Sequence, residues 1–263
     1  MLGSIAALPF WQILLMVILP LSLLLAIPPY IIRRKYTYEV LKSSNQIAGF
    51  KFSMLGAVYA VLLAFVMLEA YREYNIIEER VQLEATSVSD IFRAVNGFSE
   101  PGRTELVNQL YRYSHDVVSK EWPMMKEGKD SEGTWKVFDS LWIKLLNYEP
   151  INAKESSFYD RAIDNMEKLG DYRRLRMISS QSQIPDVMWF IVLITGLITI
   201  CFTYYFAGER LSVQMWMTGI VSCSILLFLT LILLMDNPFS SAISINSDAY
   251  KVAIQRMETV MHR

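Results

Sequence analysis

At 263 residues the chain is long enough for one or two globular domains, yet 53% of its residues are apolar and its mean hydropathy is positive, more than a soluble core of this size absorbs. A formal net charge of −1 carries no polyanion signature and argues against nucleic acid as a partner. The two cysteines, Cys201 and Cys223, fall inside long apolar stretches and read as small apolar fillers, with no disulfide framework or zinc site implied.

From Ile5 to Ile32 the chain carries no charge. At about 1.5 Å per residue, roughly twenty of these residues cross a hydrocarbon layer of about 30 Å. A cleavable signal would open on basic residues and be shorter; this segment continues past Pro20 to Pro28 and Pro29, so it is expected to persist as a first span kinked at Pro20. The second span, Ala48 to Tyr71, is unbroken in its apolar character from Met54 to Leu68, with Lys51 and Glu69 near its ends.

Residues 73–185 are charged, mixed in sign and helical in spacing. Ile77, Val81, Val88, Ile91 and Val95 keep a 4-and-3 spacing with Glu84 in the vacant position, which predicts that the second span continues as one long helix until Asn96, Gly97, Pro101 and Gly102 stop it. A second helix shows Leu106, Leu110, Tyr113 and Val117 on one face and is expected to end near Pro123, before a turn-rich connector from Gly128 to Gly133. A third carries Trp135, Phe138, Trp142 and Leu145 before Pro150; a fourth, from Lys154 to Ser182, carries Phe158, Ala162, Met166 and Leu169. Glu78, Glu79 and Glu84 alternate with arginines and are expected on a solvated or salt-bridged face.

The third span, Val187 to Ala207, and the fourth, Leu211 to Met235, are separated by Gly208, Glu209 and Arg210 alone, which makes them an antiparallel hairpin. Aromatic residues at the run ends, among them Trp11, Tyr30, Tyr36, Tyr38, Trp189 and Trp216, support the boundaries. The expected fold is an all-α polytopic membrane protein: a pair of spans in 1–72, a soluble helical bundle in 73–185, a transmembrane hairpin in 186–236 and a tail in 237–263. Orientation is contested by the charges. Arg33, Arg34, Lys35 and Lys42 put the first loop inside and lean slightly toward an external bundle, whereas Arg72, Arg80, Arg173, Arg174 and Arg176 argue the opposite.

An enzyme is disfavoured. His115 and His262 are the only imidazoles, and no phosphate loop, paired-cysteine motif or metal-spaced histidine pair occurs, so neither cofactor nor metal is expected. Within the spans Thr195, Thr199, Thr203 and Ser222 make a poor catalytic set, because such hydroxyls usually bond back to their own helix.

The second span is the informative element. On a helical wheel Gly49, Ser53, Gly56, Ala57, Ala60 and Ala64 fall within roughly one 100° sector, a face suited to close helix packing. Opposite lie Lys51, Leu55, Val58, Leu62, Phe65 or Val66, and Glu69. Two alternatives stand for this bulky face: contact with lipid while Lys51 and Glu69 snorkel, or the lining of an oligomeric pore with a hydrophobic constriction.

Asn45 to Phe50 (NQIAGF), Tyr59 to Val66 (YAVLLAFV), Glu84-Ala85, Glu121-Trp122-Pro123, and Asp236-Asn237-Pro238-Phe239 after the fourth span together resemble a bacterial membrane family described as bestrophin-like, over nearly the whole chain. The resemblance implies a pentameric homo-oligomer in the inner membrane that passes small anions such as chloride, its second span lining the pore, with Leu62 and Phe65 at a neck. It also implies a cytosolic helical domain, against the lean of the local charges. After Phe239 the chain reads Ser240, Ser241, Ala242, Ile243 where calcium-regulated bestrophins are acidic, so calcium clasping is not implied. Asp236 to Phe239 also reads as a plain helix stop. The competing function is a non-conducting membrane scaffold whose bundle binds a protein partner.

Overall fold

A computed structural model describes residues 6–129, 131–180 and 184–261, apart from the side chain of Ser44; Ile5, Ser182 and His262 lie outside the described residues. The helices in chain order are Phe10–Lys35 (α1), Tyr38–Val95 (α2), Gly102–Asp116 (α3), Trp122–Lys126 (α4), Glu132–Leu146 (α5), Ala153–Ile178 (α6), Asp186–Thr203 (α7), Leu211–Met235 (α8) and Asp248–Met261 (α9). No strand occurs among the described residues. Four helices are long and apolar enough to cross a membrane: α1, α2 from Asn45, α7 and α8. The chain is therefore an all-α, multi-pass membrane protein with its spans paired two and two.

Prolines are absorbed by widening the helix. Pro20 has no N–H to offer the turn before it, and Leu14–Ile18 wind as a π turn in which the Leu19 amide reaches the Leu14 carbonyl. Pro123 meets the same response: Val117–Glu121 form a π turn, and the helix runs through to Lys126 rather than ending near Pro123. Pro28 opens the last segment of α1, where a missing N–H costs nothing.

The chain divides into two compact units. The first comprises Met1–Tyr74, Ser182–Asn237 and Ser241–Ile243. Here Tyr59, Leu63, Val66 and Ala70 of α2 pack with Val192 and Ile200 of α7 and with Ile225 and Ile232 of α8, while Ile13 and Ile18 of α1 pack with Leu233 and Leu234. Gly196 is required by this packing, because a Cβ there would stand 2.7 Å from the Tyr59 hydroxyl oxygen.

The second unit comprises Asn75–Gln181, Pro238–Ser240 and Ser244–Arg263. Its core takes Ile77, Val81, Val88, Ile91 and Val95 from α2, and Leu106, Leu110, Tyr113 and Val117 from the next helix, all buried. The stretch set apart by sequence as a tail supplies α9, whose Tyr250, Ala253 and Met257 are buried in this unit.

Glu155 ties three loops of this unit together. Its carboxylate accepts hydrogen bonds from the Ser99 amide, the Tyr148 hydroxyl at 2.6 Å and the Ile151 amide at 2.7 Å, while its own amide is capped by Asn152. The Tyr148 hydroxyl and the Ile151 amide, against the cost of burial, hold its pKa down to about 2. A depressed native pKa means that the contribution is complete above the ordinary value of 4.5 and disappears as pH falls through about 2. Glu155→Gln is expected to lower the melting temperature by a few degrees at pH 7, with the gap to wild type closing below pH 4.5 in thermal-unfolding scans; a gap that is constant with pH refutes the assignment.

Candidate functional site

In the first unit, α2 is held at its start by Asn45. Its side-chain amide donates to the Ala207 carbonyl at 2.8 Å and its oxygen accepts from the Ala207 amide at 3.0 Å, while Phe52 stacks on Phe202. These contacts, with the buried row Tyr59, Leu63, Val66 and Ala70, fix which stripe of the helix faces the other spans.

That stripe lies between the two faces defined by the wheel. The small face does not pack within the chain: Ser53, Ala57, Ala60 and Ala64 are exposed, and a Cβ added at Gly56 would meet nothing within 4 Å. Of the two glycines on that face Gly49 has a neighbour, since a Cβ there would come 3.9 Å from the Phe206 ring. The chain chooses bulky residues for its internal contacts because they fill the gap to α7 and α8; small residues help only where a partner comes close.

The bulky face divides. Val66 is only 3% exposed and belongs to the core, whereas Phe65 is 68% and Val58 66% exposed. Leu55 and Leu62 are half-buried at the edge, and Lys51 and Glu69 are exposed. Glu69 is paired with Arg72, the guanidinium Nη2 lying 2.7 Å from its carboxylate. Lys51, Val58 and Phe65 repeat every seven residues along an uncovered arc that continues through the exposed Phe50, Met54, Val61 and Leu68 to the small residues.

Asp236, at the C-terminus of α8, is buried, accepting hydrogen bonds from the Ile184 amide at 2.9 Å and the Trp189 indole N–H at 3.0 Å. It ties the hairpin's two outer ends together and does more than stop a helix. Asn237 bonds back to the Leu233 carbonyl. In the second unit the Pro238 carbonyl accepts from the Ile245 amide, and Phe239 packs edge-on against Trp122 at 5.8 Å. Thr195, Thr199 and Thr203 donate to carbonyls of their own helix, and the Ser222 hydroxyl is buried without a partner. Among the described residues no group of three or more His, Cys, Asp or Glu side chains could hold a metal ion.

The second unit contains a buried charge cluster that includes Glu84, for which the sequence offers a solvated or a salt-bridged face; it is salt-bridged and buried. Glu84, Glu121, Arg173 and Arg176 are all 0% exposed. Arg176 engages Glu84 through Nε at 2.6 Å and Nη2 at 2.9 Å, and also reaches Glu121; Arg173 pairs with Glu121. The Tyr250 hydroxyl of α9 donates to Glu84 at 2.7 Å, and the Arg173 guanidinium lies 3.9 Å from the centre of the Trp135 ring. Burial works against the charge of Arg176, but Glu84 and then Glu121 outweigh it and raise its pKa well above the usual value. Burial likewise pushes Glu121 upward, and Arg176 and Arg173 bring it below the ordinary carboxylate value. Burial, and then the neighbouring Glu84, raise the Tyr250 hydroxyl. All four charges occupy core positions in their helical rows, which is the signal that would have revealed them. The set is a neutral strut that holds α2, α4, α6 and α9 and has no open face for chemistry.

The comparisons with known proteins agree with this architecture. A family model described as a bestrophin-like domain matches residues 16–250. The crystal structure of a bacterial bestrophin homologue from Klebsiella pneumoniae superposes with a TM-score of 0.69 at 15% identity, covering 94% of this chain and 98% of that one. A mutated bestrophin homologue from the same organism gives 0.70 at 14% identity, over 93% and 99%. A mutated membrane protein gives 0.71 at 13% identity, over 96% and 99%. At these identities the likeness is one of fold. No curated protein matches the chain.

The buried cluster yields a double-variant test. Arg176→Met leaves two buried carboxylates facing one guanidinium, a loss of about 3–5 kcal/mol against a typical domain stability of about 5–15 kcal/mol. It is expected to lower recovery of folded protein in size-exclusion chromatography several-fold. Combining it with Glu84→Leu leaves the Glu121–Arg173 pair balanced and is expected to restore most of that yield; equal failure of both variants would count against charge balance as the cause.

Proposed function

The chain belongs to the bestrophin-like family, and on that premise we propose that it is a homo-oligomeric channel of the inner membrane that conducts small anions such as chloride, with α2 lining the pore. The match of the family model over residues 16–250 is the observation that carries this proposal. Supporting it, the two-plus-two span order agrees with the family, and α2 offers an arc that is left exposed among the described residues. In the proposed assembly the small flank, Ser53, Ala57, Ala60 and Ala64, lets α2 helices of neighbouring copies approach closely. Val58 and Phe65 then form the apolar constriction, with Leu55 and Leu62 at its edge, and Lys51 supplies a cation at one end. Val66 leaves the pore line because it is buried. A constriction of this kind passes ions only when wetted, and a lysine beyond it favours anions by raising their local concentration. The paired Glu69 opposes them with less net charge than an isolated carboxylate would.

Two outcomes test this. In chloride-loaded liposomes Phe65→Ala is expected to raise flux several-fold and Lys51→Glu to lower it by a similar factor, whereas Val66→Ala should reduce thermal stability and leave flux per folded protein near wild type. Absence of any anion flux from a ring-sized oligomer would favour the scaffold instead. Separately, Ala60→Leu with Ala64→Leu is expected to shift the protein toward monomer in size-exclusion chromatography with light scattering, and an unchanged oligomer would remove the small flank from the interface.

A further inference from the structure

The first unit has a second uncovered feature, on the side formed by α1 and α8. A groove of about 520 Å³ runs between them. On α1 it is lined by Leu19, Ser22, Leu23 and Ala26, one helical stripe at i, i+3, i+4 and i+7. On α8 the stripe is Ser212, Trp216, Gly219 and Cys223. The small residues make the groove: a Cβ at Gly219 would already stand 3.6 Å from that of Ala26. Trp216 forms an open wall, 71% exposed. From Ser212 to Cys223 the lining extends about 16 Å along α8, roughly one leaflet of a hydrocarbon layer of about 30 Å.

One end of the groove meets a collar of cations. Continuing the α1 stripe by one and two turns from Ala26 reaches Tyr30 and then Arg33 and Arg34; on the α8 side Arg210 caps the helix just before Leu211, two residues from Ser212. Arg33 donates to the Gly208 carbonyl at 3.0 Å, which brings the two ends together, and its Nη1 is buried without a hydrogen-bond partner. Arg34 donates to the Tyr30 hydroxyl and lies 4.7 Å from that ring, and Lys42 lies 5.3 Å from the Tyr38 ring. Among the described residues none of Arg33, Arg34, Lys35, Lys42 and Arg210 takes part in an ion pair, whereas Arg72, Arg93, Arg103 and Arg174 of the same chain all do. Glu39 and Glu209, the acids in these stretches, are exposed and leave the cations in excess.

We propose that this groove binds an anionic phospholipid, one acyl chain lying along the groove on the floor that Ala26 and Gly219 form and the phosphate resting on Arg33, Arg34 and Arg210. Charge complementarity selects this occupant: an apolar slot one leaflet deep, closed by unpaired cations at the interface end, fits a lipid with a phosphate headgroup. A helix of a second copy would need the slot to cross the whole layer and would leave the collar unsatisfied. The site does not depend on whether the protein conducts ions.

Native mass spectrometry of detergent-purified protein, with phosphatidylglycerol and phosphatidylcholine of identical chains, tests the proposal. Phosphatidylglycerol is expected to be retained over phosphatidylcholine. Arg34→Gln combined with Arg210→Gln, both exposed side chains, should weaken its retention ~20-fold or more. Gly219→Leu, which fills the slot, should lower retention of both lipids; Trp216→Ala, at an exposed position, repeats that arm if Gly219→Leu does not fold. Equal retention of the two lipids, retention of phosphatidylglycerol unchanged in the arginine variant, or its displacement by inorganic phosphate alone would each overturn the proposal.

Discussion

In a bilayer apolar surface gains nothing by leaving its surroundings for another apolar surface, so the packing of the second helix on the hairpin has to be decided by shape and by the few polar bonds available. Both act on α2. Asn45 makes two hydrogen bonds with the backbone at Ala207, setting the register at one end, and Tyr59, Val66 and Ala70 then follow as the stripe that touches α7 and α8. Tyr59 reaches so close to α7 that a Cβ at position 196 would stand 2.7 Å from its hydroxyl oxygen. Once this stripe is chosen, the rest of the helix surface is left for something other than the chain itself. The pore proposal concerns that remainder.

The second unit solves the opposite problem. Water is available to its surface, so apolar burial drives its assembly, and placing four charges in its centre works against that drive. Each buried ion loses several kcal/mol of hydration, and the attraction recovers this only with close geometry and complete bonding. The bidentate Arg176–Glu84 contact, the second carboxylate at Glu121 and the aromatic rings over both guanidinium groups supply most of it, and Arg173 Nη1 is left buried without a hydrogen-bond partner. Because the partners come from α2, from the turn before α4, and from α6, with Tyr250 of α9 joining them, the cluster is met only by one arrangement of those elements.

Span count, the continuous second helix and the apolar rows of the bundle were legible because each rests on periodicity, which the backbone imposes whatever the partner. Leu106, Leu110, Tyr113 and Val117 are buried as their spacing required. Burial of Glu84 was encoded too, since it fills the vacant position between Val81 and Val88, as were Arg173 and Arg176, four and seven residues beyond Leu169. Charge alone left a solvated or a salt-bridged face open, and position in the row was the better guide. The wheel of the second span leaves a choice open. It separates small from bulky residues, but which arc faces the hairpin depends on Asn45 and on Tyr59 opposite Gly196, contacts distant in sequence. The prolines misled in part, because a π turn before Pro123 lets the helix continue.

The two proposed sites draw on one cationic end of the first unit, which raises the question of whether a lipid on the collar would cancel the field that favours anions at α2. Distance decides it. Lys42 belongs to the collar, and Lys51 lies nine residues further along the same helix, about 13 Å at 1.5 Å per residue. The screening length at physiological ionic strength is about 8 Å, so a charge neutralised at Lys42 is felt only weakly at Lys51. The collar can therefore be neutralised by lipid while Lys51 keeps its charge for the uncovered arc. Lipid would act on α2 only indirectly, through the seating of Arg33 on the Gly208 carbonyl and of Asn45 on Ala207, contacts that hold the first and second helices to the same hairpin loop.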